Sequence, residues 1–191
     1  MEKTYKILKL LIWVLLFAVV IVGASVLYNR LSSRMEPVGL VTETTSSESE
    51  NAAIPAPDFT FYDEAGTAYK LSDFRGKPVI LNFWASWCGP CQMEMPDIED
   101  SWQEYGDQIH FLIVDLTDGS RETVEKASAY IAENGYTFPV YFDTDMEGAY
   151  AYGVTGIPVT YFIDAEGNLV TYYQRTMSAN ILQQAVNMLL G

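Results

Sequence analysis

Residues 79–91 read VILNFWASWCGPC, an apolar run that leads directly into two cysteines separated by two residues. A strand that feeds into a helix at this point would place Cys88 at the N-terminus of that helix. There the helix dipole and the unpaired N–H groups lower the pKa of a thiol. Cys88 and Cys91 are the only cysteines of the chain, and their spacing predicts a dithiol that opens and closes in thiol–disulfide exchange.

Two simpler interpretations of the cysteine pair fit the sequence less well. A structural zinc site needs four cysteine or histidine ligands, whereas the chain has two cysteines and one histidine, His110, within an apolar run over residues 109–114. A structural disulfide stabilises a protein more when it closes a longer loop, and only Gly89 and Pro90 separate these cysteines. A redox role therefore explains the pair best.

The N-terminal segment has the pattern of a membrane anchor. Lys3, Lys6 and Lys9 lie within residues 1–9, and residues 10–29 form a run of 20 without a charge. About 20 apolar residues span a bilayer as a helix, while the apolar part of a cleaved signal peptide has roughly 7 to 15. We expect residues 1–9 to stay in the cytoplasm and residues 10–29 to cross the membrane. The rest of the chain should then lie outside the cytoplasm.

A cleaved signal peptide is the alternative, with the cut after the small residues Val22-Gly23-Ala24. Both versions export the folded part of the chain. The first gives a single-pass protein of the cell membrane, and the second gives a secreted or periplasmic protein. A lipid-anchored form is not expected, because no cysteine ends the apolar run.

Residues 30–56 predict a disordered acidic linker, because they are polar and show no periodic apolar face. The remaining residues, 57–191, are numerous enough for one compact domain. Residues 1–34 hold five of the 11 Lys and Arg and one of the 25 Asp and Glu, which leaves six cations against 24 acids beyond them, a net charge of −18. So acidic a protein is a poor partner for nucleic acid.

Alternating apolar and turn-forming segments predict a mixed α/β domain. Its expected strands cover residues 59–62, 68–71, 78–84, 109–116, 139–142, 159–163 and 169–173, and its expected helices cover 89–105, 120–134 and 179–190. We expect Pro96 to kink the first helix, Gly135 to end the second and Ser178 to cap the third. The first two strands and the last two should form hairpins. The result is one central mixed sheet with helices on both faces and an added N-terminal hairpin.

The domain resembles a thioredoxin fold of the TlpA/ResA-like group of membrane-anchored thiol-disulfide oxidoreductases. Three stretches carry the resemblance: PDF at residues 57–59, LSDFRGKPVILNFWASWCGPC at residues 71–91 and GVTGIPVTYFID at residues 153–164. The match covers residues 57–191. Together these motifs are specific for the family and much less specific for a substrate.

The resemblance implies roles for single residues. Cys88 matches the exposed nucleophile that attacks a partner's disulfide, and Cys91 matches the buried thiol that resolves the mixed disulfide, so the two would form the redox disulfide. Pro158 matches a cis-proline that faces the pair, where the backbone of Ile157 would hydrogen-bond an extended segment of the partner. The other expected substrate-binding residues are Trp87, Gly89 and Pro90.

Glu94 is the third expected catalytic residue. It matches an acid that ResA-like proteins keep one helical turn beyond the second cysteine, where it would take or supply a proton for Cys91. The alternative is a solvated acid in the first turns of a helix. Asn82 stands where cytoplasmic thioredoxins carry a buried Asp. Because Asn cannot accept a proton, this departure assigns proton handling to Glu94 or to water.

The Gly-Pro pair between the cysteines resembles the reducing members of the superfamily. It favours a reductase for the disulfides of exported proteins, as in cytochrome c maturation or the redox maintenance of the cell envelope. No bound cofactor or metal is expected, and by analogy an integral-membrane thiol carrier would supply the electrons. Two other classes remain open: a thiol peroxidase of the peroxiredoxin-related group, and a non-enzymatic copper-binding chaperone that uses both sulfurs and a third ligand.

Overall fold

A computed structural model of the chain describes residues 53–191. The predicted cytoplasmic segment, the predicted anchor over residues 10–29 and most of the predicted linker lie outside these residues. Between residues 53 and 191, none of the helices combines the length and the apolar composition that a membrane crossing requires.

The described residues alternate strands and helices around one sheet. In chain order they form β1 (Thr60–Tyr62), β2 (Ala68–Lys70), a 3-10 helix (Leu71–Phe74), β3 (Val79–Trp84), α1 (Gly89–Tyr105), β4 (His110–Asp115), α2 (Val124–Asn134), β5 (Val140–Phe142), α3 (Glu147–Ala151), β6 (Val159–Ile163), β7 (Leu169–Tyr173) and α4 (Ala179–Leu190). The order of strands across the sheet is β2-β1-β5-β4-β3-β6-β7.

The centre of the sheet is formed by β3 and β4, which run parallel with Trp84 opposite Asp115. Parallel neighbours need a crossover connection, and α1 provides it. On its other side β3 pairs with β6 in the antiparallel direction, with Asn82 opposite Thr160. The carboxyl end of β3, where the cysteines follow, therefore lies beside the end of β4 and the beginning of β6.

Side chains of β3 alternate between two cores, as the pleat of a strand requires. Ile80 and Trp84 face a core that includes residues of α1, α2 and α4, whereas Leu81 and Phe83 face a second core on the opposite side of the sheet. Because both faces are covered, the strand can be apolar almost throughout.

The second core is rich in aromatic residues from the N-terminal strands. Phe59 and Phe61 are fully buried there, and β1 pairs antiparallel with both β2 and β5. The short helix α3 closes this side, since a Cβ atom at Gly148 would collide with the ring of Phe59. Only glycine permits so close an approach.

The structure confirms the mixed sheet with helices on both faces, and the bounds predicted for α1, β6, β7 and α4. The helix α1 runs unbroken through Pro96. The predicted start of α2 at residue 120 is wrong. Asp118 Oδ1 accepts hydrogen bonds from the N–H groups of Ser120 and Glu122, which holds these residues in a turn. Thr123 then caps the helix from Val124 onward.

Two short elements were not predicted. The segment after residue 70 forms a 3-10 helix rather than a plain turn, and α3 lies in a stretch that has no helical periodicity in the sequence. Five residues are too few for a helix to be stable by itself. The contact of α3 with the aromatic core explains why it forms.

Candidate active site

Cys88 and Cys91 lie where β3 passes into α1 and are joined by a disulfide, with their Cα atoms 5.2 Å apart. Cys88 is the N-cap residue of α1, and the backbone N–H of Cys91 points at its sulfur over 3.2 Å. Pro90 occupies the first helical turn, where its missing N–H costs nothing. The predicted position of the pair at a helix N-terminus is therefore what the structure shows.

The two cysteines differ little in exposure in this disulfide form. Cys88 is 4% exposed and Cys91 is fully buried. The resemblance implied an exposed Cys88, so the structure corrects that expectation. Cys88 is nevertheless the member of the pair that solvent reaches, because packing against the first core encloses Cys91 completely.

The loop before β6 faces the disulfide. The peptide bond between Ile157 and Pro158 is cis, and the carbonyl oxygen of Ile157 lies 3.7 Å from Cys88 Sγ. An open groove continues from this point and is lined by Pro90, Gly156, Ile157, Pro158, Gln174, Arg175 and Thr176. The structure thus brings together Cys88, Pro90, Ile157 and Pro158, four of the residues that the sequence singled out.

The two tryptophans next to the site have different surroundings. Trp84 is fully buried and packs against Tyr130, with ring centroids 5.7 Å apart. Trp87 is 42% exposed, and the guanidinium carbon of Arg121 lies 3.3 Å above its ring. Trp87 therefore belongs to the surface of the site, whereas Trp84 belongs to the core.

Glu94 lies on α1, one turn beyond Cys91, and is fully buried. Its Oε1 accepts a hydrogen bond of 2.8 Å from Asn82 Nδ2, and its Oε2 accepts one of 2.8 Å from the backbone N–H of Met177. Asn82 Nδ2 also donates to Thr160 Oγ1. The network joins β3, α1, β6 and the segment before α4, one helical turn beyond Cys91.

Burial raises the pKa of Glu94 to about 7, against the opposing effect of the two hydrogen bonds and with a small contribution from the charge of Asp97. The alternative of a solvated helix acid is therefore wrong. A carboxyl group with a pKa near 7 exchanges protons readily at neutral pH. Asn82 cannot itself exchange a proton in this way, but its side chain holds Glu94, which can, through a hydrogen bond.

Glu122 is a buried acid that the sequence did not single out. Its carboxylate accepts a hydrogen bond of 2.8 Å from the backbone N–H of Ser86 and further bonds from Ser86 Oγ. Gln92 Nε2 donates to the carbonyl oxygen of the same serine at 2.6 Å. Glu122 and Gln92 thus fix both sides of the loop that leads into Cys88. Because Glu122 lies 36 residues from Ser86, no local sequence pattern predicts their contact.

Asp115 is a second buried acid near the site, at the end of β4. Burial raises its pKa to about 8, the hydrogen bond from Thr117 Oγ1 works in the opposite direction, and the charges of Glu122 and Asp118 raise it further. The other carboxyl oxygen, Oδ2, has no hydrogen-bond partner. Two ionisable groups with raised pKa values, Glu94 and Asp115, therefore lie close to the cysteine loop.

Other residues considered from the sequence lie elsewhere or in the core. His110 is at the beginning of β4, at the opposite end of that strand from Asp115, and its ring meets the edge of Phe74 at 5.2 Å. Partial burial lowers its pKa. Met95 is fully buried, while Met93 is 66% exposed on α1, close to the cysteines in sequence.

The geometry defines one chemistry. A disulfide across two residues lies at a helix N-terminus, a backbone carbonyl faces one of its sulfurs, and an acid that titrates near neutral pH lies one turn below. A thiolate that attacks such a disulfide forms a mixed disulfide with one cysteine and releases the other as a thiolate. A second attacking thiolate completes the reduction to a dithiol, in which the helix N-terminus stabilises one sulfur as a thiolate.

Comparisons with known proteins agree with this chemistry. A model of the AhpC/TSA family matches residues 53–172. The thiol-disulfide oxidoreductase ResA of Geobacillus thermodenitrificans is 36% identical over 130 residues, which make up 68% of this chain and 72% of that protein.

Solved structures show the same likeness. A thiol:disulfide interchange protein of the thioredoxin family from Chlorobium tepidum superposes with a TM-score of 0.65 at 27% identity, over 75% of this chain and 100% of the other. The exposed lipoprotein thioredoxin of Streptococcus pneumoniae superposes with a TM-score of 0.59 at 35% identity, over 69% of this chain and 99% of the other. In both cases nearly the whole of the solved chain is matched.

Proposed function

The chain belongs to the AhpC/TSA family and is a ResA-like thiol-disulfide oxidoreductase of the thioredoxin superfamily, and from this premise we propose that it reduces disulfides of exported proteins outside the cytoplasm. The observation that carries the proposal is the position of Cys88 as the N-cap of α1, with the N–H of Cys91 directed at its sulfur. Both features stabilise a thiolate over a thiol.

The proposed reaction has two exchange steps. The Cys88 thiolate of the reduced enzyme attacks one sulfur of a substrate disulfide, forms a mixed disulfide and releases the other substrate sulfur as a thiolate, which takes up a proton. The Cys91 thiolate then attacks Cys88 Sγ and releases the second substrate thiol. Two electrons pass from the dithiol to the substrate, one disulfide is reduced and the Cys88–Cys91 disulfide forms.

Glu94 is proposed as the proton acceptor for Cys91. The second step needs Cys91 as a thiolate, and this side chain is buried in an apolar core. A carboxylate one helical turn away, with a pKa near 7, can take the proton at neutral pH. The same group returns a proton when the disulfide is reopened.

The substrate segment is proposed to lie along the loop of Ile157 and Pro158. The carbonyl oxygen of Ile157 faces Cys88 Sγ, so a segment that extends along this loop has its cysteine within reach of attack. Trp87, Gly89 and Pro90 form the opposite side. Reduction rather than oxidation is inferred from the Gly-Pro pair between the cysteines.

The membrane anchor over residues 10–29 and the tether over residues 30–56 remain part of the proposal. The pneumococcal relative is an exposed lipoprotein, which supports a location outside the cytoplasm. An integral-membrane thiol carrier is the proposed electron source, and no cofactor of the protein's own is required.

The test is reduction of insulin disulfides by the full-length chain in detergent, recycled by dithiothreitol. Cys88→Ser should abolish turnover, and Cys91→Ser should accumulate a mixed disulfide with the substrate. Retained turnover in Cys88→Ser would overturn the nucleophile assignment. Consumption of hydrogen peroxide at a rate above that of insulin reduction would instead support the peroxidase alternative.

A further inference from the structure

Two of the few cations in the described domain lie at the rim of the active site. Residues 53–191 contain six Lys and Arg against 20 Asp and Glu. Arg121 lies against Trp87, and Arg175 lines the groove beside Pro158. In so acidic a domain, this placement sets the rim apart from the rest of the surface.

The guanidinium carbon of Arg121 lies 3.3 Å from the centroid of the ring of Trp87, the residue that precedes the nucleophile. Stacking uses the face of the guanidinium and leaves the N–H groups at its edge free to donate. Those donors form a planar fork that matches a carboxylate. The contact with Trp87 therefore fixes the position of the Arg121 guanidinium and leaves its positive charge unpaired.

Arg175 is the second arginine of the rim. Together with Ile157 and Pro158 it lines the open groove. The groove has a volume of about 410 Å³. The next residue, Thr176, donates a hydrogen bond of 3.2 Å to the carbonyl oxygen of Pro90, between the two cysteines. The backbone that carries Arg175 is thus anchored on the cysteine loop itself.

Neither arginine has an acidic partner of its own. Within residues 53–191, no carboxylate pairs with either guanidinium. Three acids beside the cysteine loop, Glu94, Asp115 and Glu122, are buried and accept hydrogen bonds from inside the domain. The positive charge of the rim is therefore available to a ligand.

We propose that this rim recognises substrates whose reactive disulfide is flanked by acidic side chains, one toward Arg121 and one toward Arg175. The inference rests on the proposed function and specifies its substrate class. The field of the whole domain repels a partner that is acidic throughout. The rim therefore selects a local acidic sequence next to the cysteines, in a protein that is not itself strongly acidic.

The experiment uses three synthetic peptides that share one intramolecular disulfide and differ only at the residues that flank the cysteines, which are Glu, Gln or Lys. The pre-reduced full-length protein in detergent is mixed with each peptide, and the second-order rate constant is followed by tryptophan fluorescence. We expect the Glu peptide to react about two- to five-fold faster per arginine than the Gln peptide, the range of exposed ion pairs, and the Lys peptide to react slowest. At 1 M salt, where the Debye length is about 3 Å, the three rates should converge.

Variants assign the preference to the rim. Arg121→Gln and Arg175→Gln should each reduce the ratio of the Glu rate to the Gln rate, and the double variant should bring it to about one. Arg75→Gln is the matched control, with the same change in net charge. Arg75 precedes β3 while the cysteines follow it, and a six-residue strand spans roughly 20 Å. The ratio of the Glu rate to the Gln rate in Arg75→Gln should therefore equal that of the unaltered protein.

Each other outcome counts against the inference. A ratio of one in the unaltered protein, an undiminished ratio in the double variant, or an equal loss in Arg75→Gln would overturn the acidic preference and leave the reductase activity in place. Failure to reduce any of the three peptides would overturn the proposed function and this inference together.

Discussion

Asn82 Nδ2 donates a hydrogen bond of 2.8 Å to Glu94 Oε1, and both residues are fully buried. Asn82 belongs to β3 and Glu94 to α1, so the bond links the strand before the cysteines to the helix that begins at them. Because the amide donates, it favours the carboxylate and holds the pKa of Glu94 below the value that burial alone would give. The amide thereby keeps a buried acid titratable near neutral pH.

Replacing Glu94 by Gln should change the pH dependence of thiol reactivity. The carboxylate disfavours a second negative charge nearby, so its removal should lower the apparent pKa values of the reduced cysteines. The two thiols and the acid titrate as a group, and the change belongs to that group. Resolution of the mixed disulfide should become slower at neutral pH, because the proton acceptor is gone.

The measurement for Glu94 is the rate of alkylation of the reduced protein from about pH 5 to 10, a range that spans the unperturbed Glu and Cys pKa values. Asp100→Asn is the matched control, since Asp100 lies on the same helix and is exposed. Its profile should superimpose on that of the unaltered protein. Superimposed profiles for Glu94→Gln as well would leave Glu94 with a structural role only.

Asp115 should make the domain less stable as the pH rises. Its pKa is raised to about 8 in the folded protein, above its value in the unfolded chain. The unfolded state therefore releases the proton first, and stability is lost as the pH rises from about 4 to about 8. Asp115→Asn removes this dependence and keeps the oxygen that accepts from Thr117.

The test of Asp115 is urea unfolding of the oxidised protein at pH 5 and pH 8. The gain in unfolding free energy from Asp115→Asn should be larger at pH 8 by an amount on the order of a few kcal/mol, at about 1.4 kcal/mol per pKa unit. Any cost of the new amide is the same at both pH values and cancels in the comparison. An equal effect at pH 5 and pH 8 would show that Asp115 is already ionised in the fold.

Local patterns in the sequence predicted the elements around the cysteines well. The apolar run of β3, the Cys-Gly-Pro-Cys turn and the helix through Tyr105 follow one another without a gap, and each is encoded by neighbouring residues. Glu94 was placed near Cys91 by its match to an acid of ResA-like proteins and by helical spacing. Its burial could not be predicted in this way, because it depends on Met177, which lies 83 residues further along the chain.

The burial of Glu122 and Asp115 could not be predicted from neighbouring residues in the sequence. Glu122 lies within the helix predicted over residues 120–134, yet it precedes the observed helix, and its carboxylate accepts a hydrogen bond from the N–H of Ser86. Asp115 lies within the strand predicted over residues 109–116 and is the last residue of β4. Only the parallel register, which sets Asp115 opposite Trp84, shows that this acid lies beside the cysteine loop.

The N-terminal segment should hold the full-length protein in the membrane. The 20 uncharged residues from Leu10 to Asn29 follow three lysines, which favours a span with its N-terminus in the cytoplasm. The protein should remain in the membrane fraction after a high-salt wash, and protease added to intact cells without their wall should remove the domain. A mature protein that begins at Ser25 would establish the cleaved signal peptide instead.

Glu122 should act as a positioning residue for Cys88. Glu122→Ala leaves the partly buried N–H of Ser86 without its partner, which costs about 1–3 kcal/mol of stability. The loop into Cys88 is then fixed on one side only, by Gln92. We expect the rate of attack of Cys88 on a disulfide to fall several-fold, and Glu122→Gln, which keeps an acceptor oxygen, to restore part of it.

A control variant that is destabilised to the same extent as Glu122→Ala distinguishes the positioning of Cys88 from a general loss of stability. Gly148→Ala forces a Cβ atom against the ring of Phe59, in the core on the other face of the sheet, and overpacking of this kind costs about 1–3 kcal/mol. Urea unfolding should show similar losses for Gly148→Ala and Glu122→Ala. Stopped-flow reduction of a disulfide peptide should be slow only for Glu122→Ala, since the Gly148 variant leaves the cysteine loop intact. If both variants react as fast as the unaltered protein, the contact between Glu122 and Ser86 stabilises the fold without positioning Cys88.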